Sequence, residues 1–169
     1  GWGDEPKRPF GWAMSASGLA AVWAEDNTRE SIVSAMRRRE VYATTGPRIG
    51  VRVYGGWNLA SGLLEDANFP ANVLEQAVPM GGELMSAAEG AAPTLLIEAT
   101  ADPASGTLDR VQVIKGWALP DGSTQEQIYD VAWAGEQRLL ADGSLRPIAN
   151  TVDLSSGRVD NSVGAGRLT

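Results

Sequence analysis

The sequence predicts a mainly β protein with a little α, an α+β fold built around an antiparallel, sandwich-like arrangement. Three observations carry that reading. Twenty glycines and nine prolines in 169 residues imply many turns rather than a helical bundle. Three stretches between Thr94 and Ala134 alternate as strands and are separated by short turns. Only one segment, Asn27 to Arg39, has a strong helical period.

Residues 1–24 are irregular. Trp2, Phe10, Trp12 and Trp23 are large apolar groups with little periodicity around them. Such rings either lie across another surface or cover the chain's own core, since free in solution they would form an exposed apolar patch. Asn27 is placed to cap the following helix, with Glu30 three residues on in a capping-box pattern. Ile32, Val33, Ala35 and Met36 form one apolar stripe. This stripe needs a covering surface, either the adjacent β region or a second copy of the chain. Arg37-Arg38-Arg39 falls in the expected last turn, where cations suit the negative end of the helix dipole.

A short strand, Val41 to Ala43, follows, and Thr44-Thr45-Gly46-Pro47 breaks it. From Arg48 to Tyr54 the residues alternate, with Ile49, Val51 and Val53 on one face and Arg48, Arg52 and Tyr54 on the other. Residues 55–93 are weakly patterned. Pro70 to Ala77 suggests a short helix with Val73, Leu74 and Ala77 inward, and Pro79 to Leu84 a turn leading into a strand. Strands are predicted at Thr94 to Ala101, Leu108 to Trp117 and Glu126 to Ala134. Pro120-Asp121-Gly122-Ser123 joins the last two as a hairpin. Ile148 to Val152 reads as an edge strand and Val159 to Val163 as a weaker one. The chain is expected to stop without a closing element.

Composition excludes several function classes. The net charge of −7 argues against a nucleic-acid partner, which needs a basic surface. No apolar run is long enough to span a bilayer as a helix, so no membrane partner is expected. There is no cysteine, which fits the cytoplasm and equally a bacterial periplasm or a secreted protein. There is no histidine either, which removes His-based triads and His-ligated zinc from this chain.

The remaining candidates have ordinary structural readings beside them. Glu25-Asp26 precedes the helix, where acids suit its dipole. Glu65-Asp66 sits in a loop, and Asp102, Asp121 and Asp142 stand at turns, where Asp is chosen for local hydrogen bonds. Thr44, Thr45 and Arg48 could bind an anion through hydroxyls, backbone N–H groups and a guanidinium, without the spacing of a phosphate-binding loop. Trp57 and Trp117 sit at strand ends, where they could form a carbohydrate platform, although core packing is the commoner fate of tryptophan.

Longer motifs carry a family resemblance. They are Trp12 to Ile32; Met36-Arg-Arg-Arg-Glu-Val-Tyr-Ala-Thr-Thr-Gly-Pro-Arg48; Gly55-Gly-Trp57; Val78-Pro-Met-Gly-Gly82; Asp102-Pro103; Leu108 to Trp117; and Tyr129 to Trp133. Together they resemble a bacterial family of uncharacterised proteins, a domain-of-unknown-function family related to the polymerase-and-histidinol-phosphatase (PHP) metallohydrolases. The resemblance implies that residues 1–47 are the last loop, helix and strand of a PHP-like α/β barrel, which Thr44, Thr45 and Arg48 would face. It further implies that residues 48–169 are the β-rich region after the barrel, cut short at its C-terminus. A divalent metal would then belong to the parent protein and no cofactor to this part. The expected partners are the missing N-terminal barrel of the same protein and, through the apolar helix face, a second copy of the chain. The His and Asp ligands of such barrels, including a Ser-Asp-x-His motif, have no counterpart here. No catalytic residue is therefore assigned.

Overall fold

The computed structural model describes residues 17–85, 90–136 and 138–169. Trp2, Phe10 and Trp12, singled out above, lie outside the described residues. The architecture is mainly β with antiparallel sheets and few helices, as the sequence predicts. A two-stranded sheet pairs β1 (Leu19–Val22) with β2 (Val41–Thr44), and α1 (Arg29–Arg37) lies between them in the chain. Five further strands follow around two short helical turns: β3 (Gly50–Gly56), α2 (Ala71–Leu74), β4 (Ala77–Pro79), β5 (Thr94–Thr100), β6 (Arg110–Ala118) and β7 (Thr124–Trp133), with a 3-10 turn at Leu63–Glu65. The last strand is β8 (Arg167–Leu168). The order β4-β3-β5-β8 forms a four-stranded sheet, and β6 and β7 form a separate hairpin.

α1 is capped one residue later than its sequence suggests. Thr28 rather than Asn27 is the N-cap, and its hydroxyl accepts from the Ser31 N–H at 3.2 Å. Glu30 does not complete the box. Ser31 does a similar job by accepting the Asp26 N–H at 3.0 Å, so two N–H groups at the helix start are satisfied reciprocally. The other end is a Schellman motif. The Arg39 N–H donates to the Met36 carbonyl and the Glu40 N–H to the Ala35 carbonyl, with Arg39 left-handed at φ 64°. The arginine run therefore divides. Only Arg37 lies in the last turn, Arg38 pairs with Glu40 at 2.8 Å, and Arg39 makes the turn out of the helix.

The apolar stripe of α1 divides as well. Ala35 is fully buried and Ile32 half-buried, but Val33 and Met36 are exposed, at 38% and 51%. This counts against full coverage by the adjacent β region. β1 arises in a stretch expected to be irregular. Its small residues carry no alternation, and it is specified by pairing with β2, from Leu19 opposite Thr44 to Val22 opposite Val41.

β3 begins at Gly50, two residues later than expected, because the Arg48 N–H is bound at 2.7 Å by the Asp102 carboxylate. Pairing of Arg52 with Glu98, Val53 with Ile97 and Tyr54 with Leu96 sets two faces. Val51, Val53, Leu95, Ile97 and Ala99 share one, and Arg52, Tyr54, Leu96 and Glu98 the other. The second face is less polar than the alternation implied. Tyr54 is buried and meets Phe69 edge-on, with ring centres 5.8 Å apart. α2 carries Val73 into the core, fully buried, but is shorter than expected; Leu74 lies outward and Ala77 joins β4. Residues 80–85 form a turn and loop and do not enter a strand.

The β6–β7 hairpin runs the length of both strands, with one irregularity at Val111/Gln112. In its turn the Leu119 N–H donates to the Ser123 carbonyl and the Gly122 N–H to the Leu119 carbonyl. Gly122 is left-handed at φ 83°, and the Asp121 carboxylate accepts from the Ser123 N–H and hydroxyl. Leu140-Ala-Asp-Gly-Ser144 repeats this turn bond for bond. The expected strands at 148–152 and 159–163 are reduced to a single bridge between Val152 and Val159. The expectation of no closing strand is also corrected: Arg167 and Leu168 pair with Thr100 and Ala99. The Arg167 guanidinium then binds Glu98 at 2.8 Å.

Among the described residues, five aspartates are held below the usual carboxylate range. At Asp153 the Ser156 and Ser155 hydroxyls and the Ser155 N–H lower it to about 2. Asp121 and Asp142 are lowered by Ser123 and Ser144, and Asp102 by the N–H groups of Arg48 and Ala104. At Asp109 burial pushes upward, but hydrogen bonds from Arg110 and Arg138 outweigh it. A folded pKa below the unfolded one means stability that is present above the unfolded value and lost as pH falls through the folded value. We expect the urea midpoint to hold steady down to about pH 4 and then to fall toward pH 2. A midpoint flat from pH 5 to 2 would show that these turns do not hold their carboxylates in solution.

Candidate functional site

A cleft of about 460 Å³ opens where the β1–α1–β2 unit meets the four-stranded sheet. Trp23, just after β1, forms one wall and is fixed three ways. Its indole N–H donates to the Val51 carbonyl at 2.8 Å, its backbone N–H donates to the Glu40 carbonyl at 3.0 Å, and its ring stacks on Tyr42 with centres 6.1 Å apart. Arg52, mid-strand in β3, lays its guanidinium 3.8 Å from the Trp23 ring centre and 5.4 Å from that of Phe69. Both distances lie within cation–π range. Tyr54, two residues along the same face, has its phenol pushed up by burial, with Arg52 pulling the other way. Pro70, Leu74, Pro79 and Met80 make the opposite, apolar wall.

The charges at the rim are partly matched. Glu40 is taken by Arg38, and on the sheet Glu98 is taken by Arg167. Among the described residues no carboxylate or carbonyl accepts a hydrogen bond from the Arg52 guanidinium. Arg52 is thus a stacked, half-buried cation with the Tyr54 phenol in hydrogen-bonding reach of its guanidinium and its remaining donors left to the cleft.

The residues singled out from sequence lie elsewhere. Thr44 ends β2, and its buried hydroxyl has no partner among the described residues. Thr45 and Arg48 are exposed in the following loop, where the Arg48 N–H is occupied by Asp102. Trp57 follows β3, and its indole N–H donates to the Met85 carbonyl at 3.1 Å. Trp117 lies in β6, a different sheet, 36% exposed, with the Lys115 ammonium 5.2 Å from its ring centre. Trp23 and Arg52 were not paired by the sequence reading. The alternation of β3 placed Arg52 on the polar face but could not show which ring would cross it.

Among the described residues no three or more Asp or Glu side chains stand together as metal ligands do. No helix among the described residues is long and apolar enough to cross a membrane.

These features define a β-rich module with an arginine–aromatic cleft where its β1–β2 sheet meets its four-stranded sheet. Residues 3–169 match the model of a protein family of unknown function, DUF3604, and the chain belongs to that family. No curated protein and no solved structure matches it.

Proposed function

We propose that this chain is the non-catalytic, β-rich C-terminal part of a PHP-like, metal-dependent hydrolase acting on phosphoester-type substrates. In this reading residues 1–47 complete the catalytic barrel, and residues 48–169 form an accessory region beside it. The observation that carries the reading is the apolar exposure of the β1–α1–β2 unit, on its helix and on both faces of its two-stranded sheet. Leu19, Val33, Met36 and Val41 are each exposed by more than a third. Apolar exposure of this kind marks a surface that packs against something. The resemblance of the Met36 to Arg48 motif to the end of a PHP-like barrel names the neighbour: a barrel of the same polypeptide.

The test is hydrolysis of p-nitrophenyl phosphate with added Mn²⁺, Zn²⁺ or Mg²⁺. It compares this chain with the longest natural polypeptide that contains it. The reading expects metal-dependent turnover from the longer protein and none from the chain. Metal-dependent turnover by the chain alone would overturn it.

A further inference from the structure

We infer that the cleft between Trp23 and Met80 is a binding site for a small carboxylate with an apolar body, its acid group held by Arg52. This inference stands apart from the accessory-module reading. Three features of the cleft support it.

The first is the state of Arg52. A guanidinium carries five N–H donors in a planar fork; stacking on Trp23 at 3.8 Å uses its face, and the Tyr54 phenol engages one donor and leaves the others. Its orientation is set by Trp23, itself pinned to the Val51 carbonyl, and by the nearby Phe69 ring. A fork held in one plane is suited to bidentate recognition of an oxyanion. The nearby carboxylates that could have served as internal partners, Glu40 and Glu98, already belong to Arg38 and Arg167.

The second is the opposite wall. Leu74 is half exposed, and Pro70, Pro79 and Met80 line the cleft beside it. A bare anion would leave this surface wet, whereas a ligand with an apolar or aromatic body would cover it. The volume of about 460 Å³ lies within the range of small-molecule sites.

The third is the charge at the rim. Glu25 and Glu40 face the same space as Arg38 and Arg52, so the cleft carries no net positive charge. A dianion gains little there and is repelled by Glu25. A monoanion satisfies Arg52 at a smaller electrostatic cost, which favours a carboxylate over a phosphate ester.

The experiment uses the intact chain and follows the Trp23 indole N–H resonance, whose bond to Val51 places it at the cleft wall. Phenylacetate, phenyl phosphate and benzyl alcohol are titrated separately. The expected result is a saturable shift with phenylacetate, a weaker one with phenyl phosphate and none with benzyl alcohol. Arg52→Gln should weaken phenylacetate binding about tenfold or more. Nuclear Overhauser contacts from the phenylacetate ring to Trp23, Leu74 and Met80 in the unmodified protein decide the location even if the variant does not fold. Phenylacetate giving no saturable shift, benzyl alcohol binding equally well, phenyl phosphate binding more tightly, or full affinity retained in Arg52→Gln would each overturn the inference.

Discussion

Replacing Arg138 by alanine should cost about 3 kcal/mol of stability, the sum expected from losing several charge-assisted bonds to buried or half-buried acceptors. Arg138 is 8% exposed, in a loop that sequence reading treats as polar and turn-rich. Its guanidinium donates to the Asp109 carboxylate, to the Ala134 carbonyl at 2.6 Å, and to the Arg146 carbonyl at 2.9 and 2.7 Å. One side chain thereby ties the start of β6, the end of β7 and the loop beyond Leu145. Alanine leaves the Asp109 carboxylate with only its neighbour Arg110 and strips the donors from two carbonyls. Arg138→Lys should recover only part of the loss, because one ammonium cannot span acceptors arranged around a planar fork. Urea unfolding measures both. A change under about 0.5 kcal/mol for the alanine variant, the size of an ordinary surface substitution, would mean that the loop is held by something else.

Gly81→Ala should cost about 2–3 kcal/mol, combining a left-handed backbone with a steric collision. Gly81 has φ 78°, and a Cβ built there would run into the carbonyl and side chain of Arg39. This is where the turn after β4 rests against the residue that leads out of α1. The clash would separate the β1–α1–β2 unit from the sheet and open one end of the cleft. Gly62→Ala is the matched control, since Gly62 has φ 89° but open space around its Cβ position. It should cost about 1 kcal/mol, the conformational part alone. Equal losses in the two variants would show that the Arg39 contact is not part of the stability.

Much of this fold was legible because its signals are local. The Asp-Gly-Ser turns were readable since a carboxylate binding its own backbone two residues on needs no tertiary partner. α1 and the strands β5, β6 and β7 were readable from apolar spacing, with errors of a few residues at their ends. What escaped depends on distant pairing. β1 has little pattern of its own and exists because β2 offers a partner. β8 has only two residues, fewer than any period can reveal. Helix α2 stops early because Ala77 to Pro79 pair with β3 instead. The site was hidden for the same reason. Trp23 and Arg52 are separated by 29 positions, and each alone reads as an apolar surface ring and an outward strand cation. The loop at Thr44 to Arg48, readable as a motif, is met by the chain's own Asp102.

The exposed apolar residues of α1, Val33 and Met36, should pack against another part of the same protein. Met36, 51% exposed, is a built-in reporter of that surface, and Met85, 80% exposed in the loop after β4, is an internal reference. Oxidation by dilute hydrogen peroxide, read by mass spectrometry at each methionine, follows exposure. In the isolated chain both should oxidise readily. In the longest natural polypeptide containing this chain, the account predicts that Met36 becomes protected relative to Met85. Equal oxidation of Met36 in the two proteins would contradict it.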